Sequence, residues 1–318
     1  MGFDSVIGHT WQKKLLRSLL AKERLPHAFL FTGQEGIGKR KFAIEFIKHM
    51  MCEKGTGCDN CRPCIKLEHG SHPDLMIVEG VESIGISQSR MISKEVSEQP
   101  YEAKVRAIVI DGADTMTPEA TNALLKTLEE PPPNNVFFLI SSSEKDILLT
   151  IRSRCVRVPF SPLNQSDVEE YFANVLRMEK EKARLISSQS YGSIGLGLFW
   201  TEDDNLLLRR KLGELITGKK RSFVESTAIS ERLSKNNRGL NLYLSFLLSF
   251  FRDLYLAAHE RGSAQIINSD LRDLMDHETA DLPWIERSIK KIQETMFNMR
   301  YNINKWLLFE NMLLHIMR

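Results

Sequence analysis

The chain has 318 residues, enough for two or three packed units each burying its own apolar core. Its 43 Lys+Arg against 41 Asp+Glu leave a formal charge of +2, which excludes a global field able to recruit nucleic acid or an anionic membrane. The N-terminus lacks a basic stretch followed by an apolar run, and no apolar run is long enough for a bilayer, so a cytoplasmic protein without membrane partners is expected.

In chain order, short apolar runs alternate with helix-period segments over the first half, the signature of a parallel sheet covered by helices. The strands are predicted at 28–32, 75–78, 107–110, 136–140 and 156–160, rich in Val, Ile and Phe with little alternation, as for strands buried on both faces. Phe42, Ala43, Phe46, Ile47, Met50 and Met51 form one helical stripe, and Ala123, Leu124, Thr127 and Leu128 another that must stop at Pro131-Pro132-Pro133. An α/β class follows. Beyond Phe160 the strand signals vanish, and Ser166-Asp167-Val168-Glu169 reads as a capping box opening a helix through Tyr171 and Val175. Tyr191-Gly192-Ser193-Ile194-Gly195 breaks the helical pattern, and Gly218-Lys219-Lys220-Arg221 marks a polar turn. Boundaries near 160 and 205 divide the chain into 1–160, 161–205 and 206–318. At the end, Ile303, Trp306, Leu307, Leu313, Leu314 and Met317 fall at helical spacing as an apolar face.

Gly33-Gln34-Glu35-Gly36-Ile37-Gly38-Lys39 follows a predicted strand and opens a helix, the context of a phosphate-binding loop. Gly33, Gly36 and Gly38 let backbone N–H groups turn toward a phosphate, and Lys39 reaches the outer phosphates. Arg40, however, stands where Ser or Thr would ligate magnesium. Asp111 ends its strand like a Walker B carboxylate, but Gly112 follows where a water-polarising Glu is needed. Losing one general base alone forfeits roughly 10²–10⁴-fold in rate. Binding of ATP or ADP stays open against a glycine turn that binds nothing, and hydrolysis is not expected.

Four of the five cysteines, Cys52, Cys58, Cys61 and Cys64, form C-x5-C-x2-C-x2-C within thirteen residues. In a reducing compartment that spacing favours four thiolates around a structural zinc, with Gly55, Gly57 and Pro63 making knuckle turns. Reduced loop cysteines or a labile disulfide are the bland alternatives, and an iron–sulfur cluster a minor one. Arg152-Ser153-Arg154-Cys155 precedes the last strand. From the residues alone Arg154 is a surface salt-bridge residue, although a guanidinium there could reach a neighbour's phosphoryl group as an arginine finger.

Together these segments resemble the bacterial clamp-loader AAA+ family. Phe3-Asp4-Ser5-Val6-Ile7-Gly8-His9 is similar to its opening segment, with His9 where Gln is common. Asn122 to Pro132, reading NALLKTLEEPP, is the most specific signature, and Ser153-Arg154-Cys155 matches the family's arginine-finger motif. The four-cysteine insertion occurs at the same place. Arg40 and Gly112 depart from the gamma/tau motor branch, while His72-Pro73-Asp74 and Asn302 to Glu310 resemble the delta-prime branch. The resemblance implies an AAA+ domain with a zinc insertion at about 52–64, a small helical lid and a helical collar. It also implies gamma/tau and delta partners, a sliding clamp (beta) and primed DNA reached through the complex, no intrinsic activity, and Arg154 acting in trans.

The rivals are an active gamma/tau-type ATPase, a small-molecule P-loop kinase and a zinc-dependent DNA-binding module. A kinase lid would concentrate arginines after Phe160, and none cluster there. Lys54, Arg62 and Lys66 accompany the cysteines without an evident recognition helix, and the Lys219-Lys220-Arg221 turn reads as solvated surface.

Overall fold

The computed structural model describes residues 2–21, 25–80, 83–218, 222–235, 237–259, 266–275, 281–299, 301 and 303–317. The Lys219-Lys220-Arg221 turn and Asn302 lie outside these residues. Five strands, β1 (Ala28–Thr32), β2 (Leu75–Glu79), β3 (Arg106–Asp111), β4 (Asn135–Ser141) and β5 (Val156–Pro159), pair parallel in the order β2-β3-β4-β1-β5. α1 (Thr10–Ala21) precedes β1, and between the strands run α2 (Lys39–Met51), α3 (Arg62–Glu68), α4 (Ile86–Glu95), α5 (Pro118–Glu129) and α6 (Leu149–Arg152). The rest is helical: α7 (Gln165–Glu170), α8 (Lys180–Gln189), α9 (Ile194–Phe199), α10 (Asp203–Thr217), α11 (Phe223–Ser234), α12 (Asn237–His259), α13 (Leu282–Asn298) and α14 (Lys305–Ile316). Two compact units emerge, Met1–Asp167 with Gly192–Gly195, and Val168–Tyr191 with Leu196–Arg318. Among the described residues no helix is long and apolar enough to cross a membrane.

Alternation along the central strands feeds two cores. Phe29, Phe31 and Phe138 point to one face and pack on Phe42 and Phe46 of α2, with the Phe29 and Phe138 rings stacked at 5.3 Å. Leu30, Ile108, Ile110, Phe137 and Leu139 point to the other face, against Ile92 of α4 and Leu124 and Leu128 of α5. Each such side chain contributes about 1.5–3 kcal/mol by leaving water. Burial on both faces holds for β1, β3 and β4; the edge strand β2 is half-buried, with Leu75 and Ile77 packed on one core and Met76 and Val78 on the other, while the short edge strand β5 buries only Val158. Helix α5 starts with Thr117 accepting the Ala120 N–H and Pro118 in the first turn, and it ends two residues before Pro131.

Two local expectations need correction. The capping box does not open α7, which starts at Gln165 and so holds Ser166 inside the helix; a π-helical turn over Tyr171–Val175 continues it. At α14 the buried face is Phe309, Met312, Leu313 and Ile316, continued by Met317, so Leu313 and Met317 of the expected face are buried, whereas Leu307 is exposed and Ile303 precedes the Asn304 cap. In this second unit, buried Arg209 bonds Asn268 at 2.6 Å and Asp270 at 2.5 Å, and Asn268 Nδ2 donates to Asp253 at 2.8 Å, tying the 266–275 segment to α10 and α12.

Candidate functional site

Parallel strands bring their carboxyl ends to one edge of the sheet, where clefts form in open α/β folds. There β1 delivers Gly33, β4 delivers Ser141 and β3 delivers Asp111 in register with Glu79 and Ile140. A cavity of about 600 Å³ opens over them, lined in part by Gly36, Gly38, Lys39, Arg40, Glu79 and Asp111. Gly33 stands at the strand's end, and a Cβ there would come 2.2 Å from the Phe160 carbonyl oxygen.

Lys39, 6% exposed, folds onto its own loop and donates from Nζ to Gly33 O at 2.5 Å and Gln34 O at 2.7 Å. Burial lowers its pKa, opposed by the charges of Asp111 and Asp114. Arg40 Nη1 lies 2.5 Å from Glu79 Oε2 and 3.6 Å from Asp111 Oδ2, so a guanidinium stands beside the carboxylate that would face magnesium. Burial raises the Asp111 pKa, Arg40 pulls it down and Glu79 adds to the rise.

Gly112 adopts φ 87°, and Thr115 donates to its carbonyl from both N and Oγ1 at 2.8 Å. A Cβ at this position meets Thr115 Oγ1 at 3.3 Å, so a glutamate would sit in a left-handed conformation that side chains disfavour. Asp114 beyond it accepts from the Ser142 amide at 3.3 Å and from the Ser142 hydroxyl.

Two supports of the loop escaped the sequence reading. His9, noted only as a departure from Gln, donates from Nε2 to Ile37 O at 2.8 Å, and burial lowers its pKa. The break at Tyr191 to Gly195 brings Ser193 Oγ to Glu35 O at 2.7 Å and the Gly195 N–H to Gly36 O at 2.9 Å. Gly36 and Gly195 approach so closely that a Cβ on Gly195 would lie 2.6 Å from Gly36 Cα. The pattern break was visible, but the loop it would meet was not.

All four cysteines named from their spacing converge, with sulfurs within 4.8 Å of one another and Cys52 Sγ 3.9 Å from Cys61 Sγ. Tetrahedral Zn–S bonds of about 2.3 Å place sulfurs about 3.8 Å apart, so the donor set fits zinc, with no ligand position left for water. Burial alone would raise the Cys52 thiol, but N–H groups of Cys58, Thr56 and Lys54 bring it down to about 5. Backbone N–H groups of Asn60 and Cys61 also lower Cys58, and burial raises Cys64. Gly57 turns with φ 59° where a Cβ would strike the His49 ring at 2.8 Å. A second anchor, unseen in the sequence, is buried Lys48, whose ammonium meets Glu45 at 3.1 Å, Asp59 at 3.0 Å and Glu68.

Away from the cavity, Asp74 is fully buried and accepts the N–H groups of Tyr101, Glu102 and Ala103 at 2.6–2.8 Å. Arg154 follows α6 and lies on the surface; its Nη2 donates to Glu129 Oε1 at 2.6 Å and its Nη1 to Thr150 O at 2.8 Å. Burial pushes the neighbouring Cys155 thiol up to about 12.

Residues 8–164 match the family described as DNA polymerase III, delta subunit. The DNA polymerase III subunit delta' of Bacillus subtilis is 38% identical over 161 residues, 49% of this chain and 49% of that protein. The subunit tau/gamma of Haemophilus influenzae is 31% identical over 180 residues, 56% of this chain and 26% of that protein. The chain therefore spans half or less of the length of these curated relatives. A DNA polymerase III gamma subunit-related protein from Thermotoga maritima shares the fold, with TM-score 0.53 and 19% identity over 96% of this chain and 98% of that one.

Proposed function

Because residues 8–164 match the DNA polymerase III, delta subunit family and the Bacillus subtilis subunit delta' is 38% identical over 161 residues, we propose that the chain is a clamp-loader subunit of the delta-prime type that hydrolyses no ATP itself and lends Arg154 to a neighbouring ATPase subunit. The observation that carries this reading is the position of Arg40, which pairs with Glu79 and approaches Asp111 where a magnesium-dependent ATPase needs a hydroxyl and a metal ion. Gly112 removes the water-polarising carboxylate from the same cleft. Gly33, Gly36, Gly38 and Lys39 retain the form of a nucleotide loop, so ATP or ADP can bind there without turnover.

In this reading residues 1–160 are the AAA+ domain, 161–205 a helical lid and 206–318 a collar holding gamma/tau and delta subunits together in the cytoplasm. The complex opens the sliding clamp (beta) and places it on primed DNA. Cys52, Cys58, Cys61 and Cys64 hold a structural zinc, which pins the insertion between α2 and β2 and takes no part in the reaction.

The test is reconstitution with gamma/tau and delta subunits, comparing wild type with Arg154→Ala. Arginine fingers supplied in trans are worth about 10³–10⁵-fold in turnover in other phosphoryl-transfer systems, so a large loss of DNA-stimulated hydrolysis by the partners is expected. Unchanged turnover in a correctly assembled complex overturns the role of Arg154. Magnesium-dependent turnover by the isolated chain, abolished by Lys39→Ala, would instead establish an active gamma/tau-type ATPase.

A further inference from the structure

The guanidinium of Arg154 is already engaged by its own chain. Glu129, the last residue of α5, accepts from Nη2 at 2.6 Å, while Thr150 O and Ser153 Oγ accept from Nη1 at 2.8 and 3.3 Å. Among the described residues, Nε–H and the second N–H of Nη2 have no protein acceptor. The side chain is 31% exposed and its partner carboxylate 47% exposed, so the pair lies in water and its free energy is small. Arg152 and Arg157 approach a different carboxylate, Glu144, at 3.9 and 3.1 Å, and among the described residues Glu129 is the carboxylate paired with Arg154. Leu148 and Leu149, 50% and 71% exposed, flank this turn with uncovered apolar surface.

From this geometry we infer that Glu129 is a positioning residue that restrains Arg154 on its own subunit until a neighbour's nucleotide displaces the carboxylate. The inference rests on the finger reading above. A guanidinium that bridges a carboxylate and a main-chain oxygen samples few rotamers, so it is ordered before any partner arrives. It cannot make the same Nη2 contact to a phosphoryl oxygen while Glu129 holds it. A polyphosphate carries several negative charges against one on Glu129, and it can accept from the two N–H groups that the protein leaves open. Exchange is therefore favourable only when a neighbour's phosphates are brought close in the correct assembly. No bond is made or broken in the exchange; one ion pair replaces another. Because the resident pair is weak, the restraint is a modest bias on unproductive turnover, while Arg154 itself carries the large effect.

The experiment reads ATP turnover by the reconstituted complex, without and with primed DNA and clamp, for wild type, Glu129→Gln, Arg154→Ala and the double variant. Glu129→Gln should raise turnover without DNA about two- to fivefold, the scale of an exposed ion pair. The DNA-stimulated rate should change less. The excess should shrink toward unity as ionic strength rises, because salt screens the wild-type pair and does nothing for glutamine. A purely structural role for Glu129 would produce no such salt dependence, and melting of the isolated variant checks that α5 is intact. The double variant should fall to the level of Arg154→Ala. Unchanged or lower turnover without DNA for Glu129→Gln, alongside a strong loss for Arg154→Ala, overturns the restraint and leaves the finger standing. Unchanged turnover for Arg154→Ala removes the finger reading and this inference with it.

Discussion

Arg40 and Asp111 lie 3.6 Å apart, guanidinium nitrogen to carboxylate oxygen, and Glu79 holds the same guanidinium nitrogen at 2.5 Å. The charge that a divalent cation would supply beside Asp111 is thus attached to the chain, directly after the lysine of the phosphate loop. Magnesium at millimolar concentration should therefore leave the melting temperature of the isolated chain unchanged. Arg40→Thr should allow magnesium to approach Asp111 yet give no more than about one-hundredth of an active loader subunit's turnover, since the base is still missing. Phosphate release measured against such a subunit checks this.

Gly112→Glu restores the missing side chain on paper only. At φ 87° a side chain costs about 1–2 kcal/mol, so the variant should melt roughly 2–8 °C lower and still hydrolyse nothing. Turnover appearing in Gly112→Glu alone, with unchanged melting, would show that the loop reshapes freely.

Zinc should be found at one atom per chain by elemental analysis. Chelation should lower the melting temperature by at least about 5 °C and raise protease sensitivity within 52–68 while the sheet persists. Falling pH should release the metal, because protons compete for the thiolates, and Cys64→Ser should lose it at higher pH than wild type does. Full stability in the metal-free chain would sink the structural role.

Asp74 sets a pH signature of its own. Burial opposes its ionisation, but three backbone N–H groups and His72 favour the charged form and hold its carboxyl below the usual range. A depressed folded-state pKa gives stability that is fully present above about pH 4 and lost as pH falls through the folded value. Asp74→Asn should destabilise by about 1.5–3 kcal/mol at pH 7, with the gap to wild type narrowing below pH 4. A gap that stays constant down to pH 2 excludes this account.

How much was legible in the sequence follows from the range of each interaction. The five strands, the phosphate loop, its two defects and the cysteine cluster depend on neighbours in sequence or on strong apolar runs, and all stand close to where the residues placed them. The exposure of β5 was hidden because burial depends on sheet order, which apolar runs do not encode. Lys48, Arg106 and Arg209 carry no local signature in the sequence, yet each is buried; their partners lie 3 to 61 residues away and become visible only in three dimensions. The Glu129 to Arg154 pair, spanning 25 residues, belongs with these: both residues were quoted in separate motifs with nothing to join them.

The contact between Gly36 and Gly195 gives the first unit an unusual order of completion. Every strand is encoded by residue 159, but the clasp on the phosphate loop comes from Gly192–Gly195, after an excursion of 24 residues into the second unit. During synthesis the sheet can assemble while the glycine loop after β1 still lacks the Ser193 and Gly195 bonds, and a fragment cut after residue 167 would stay in that unfinished condition. Truncations meant to isolate the α/β part should therefore extend past Gly195, or they will report on a loosened loop.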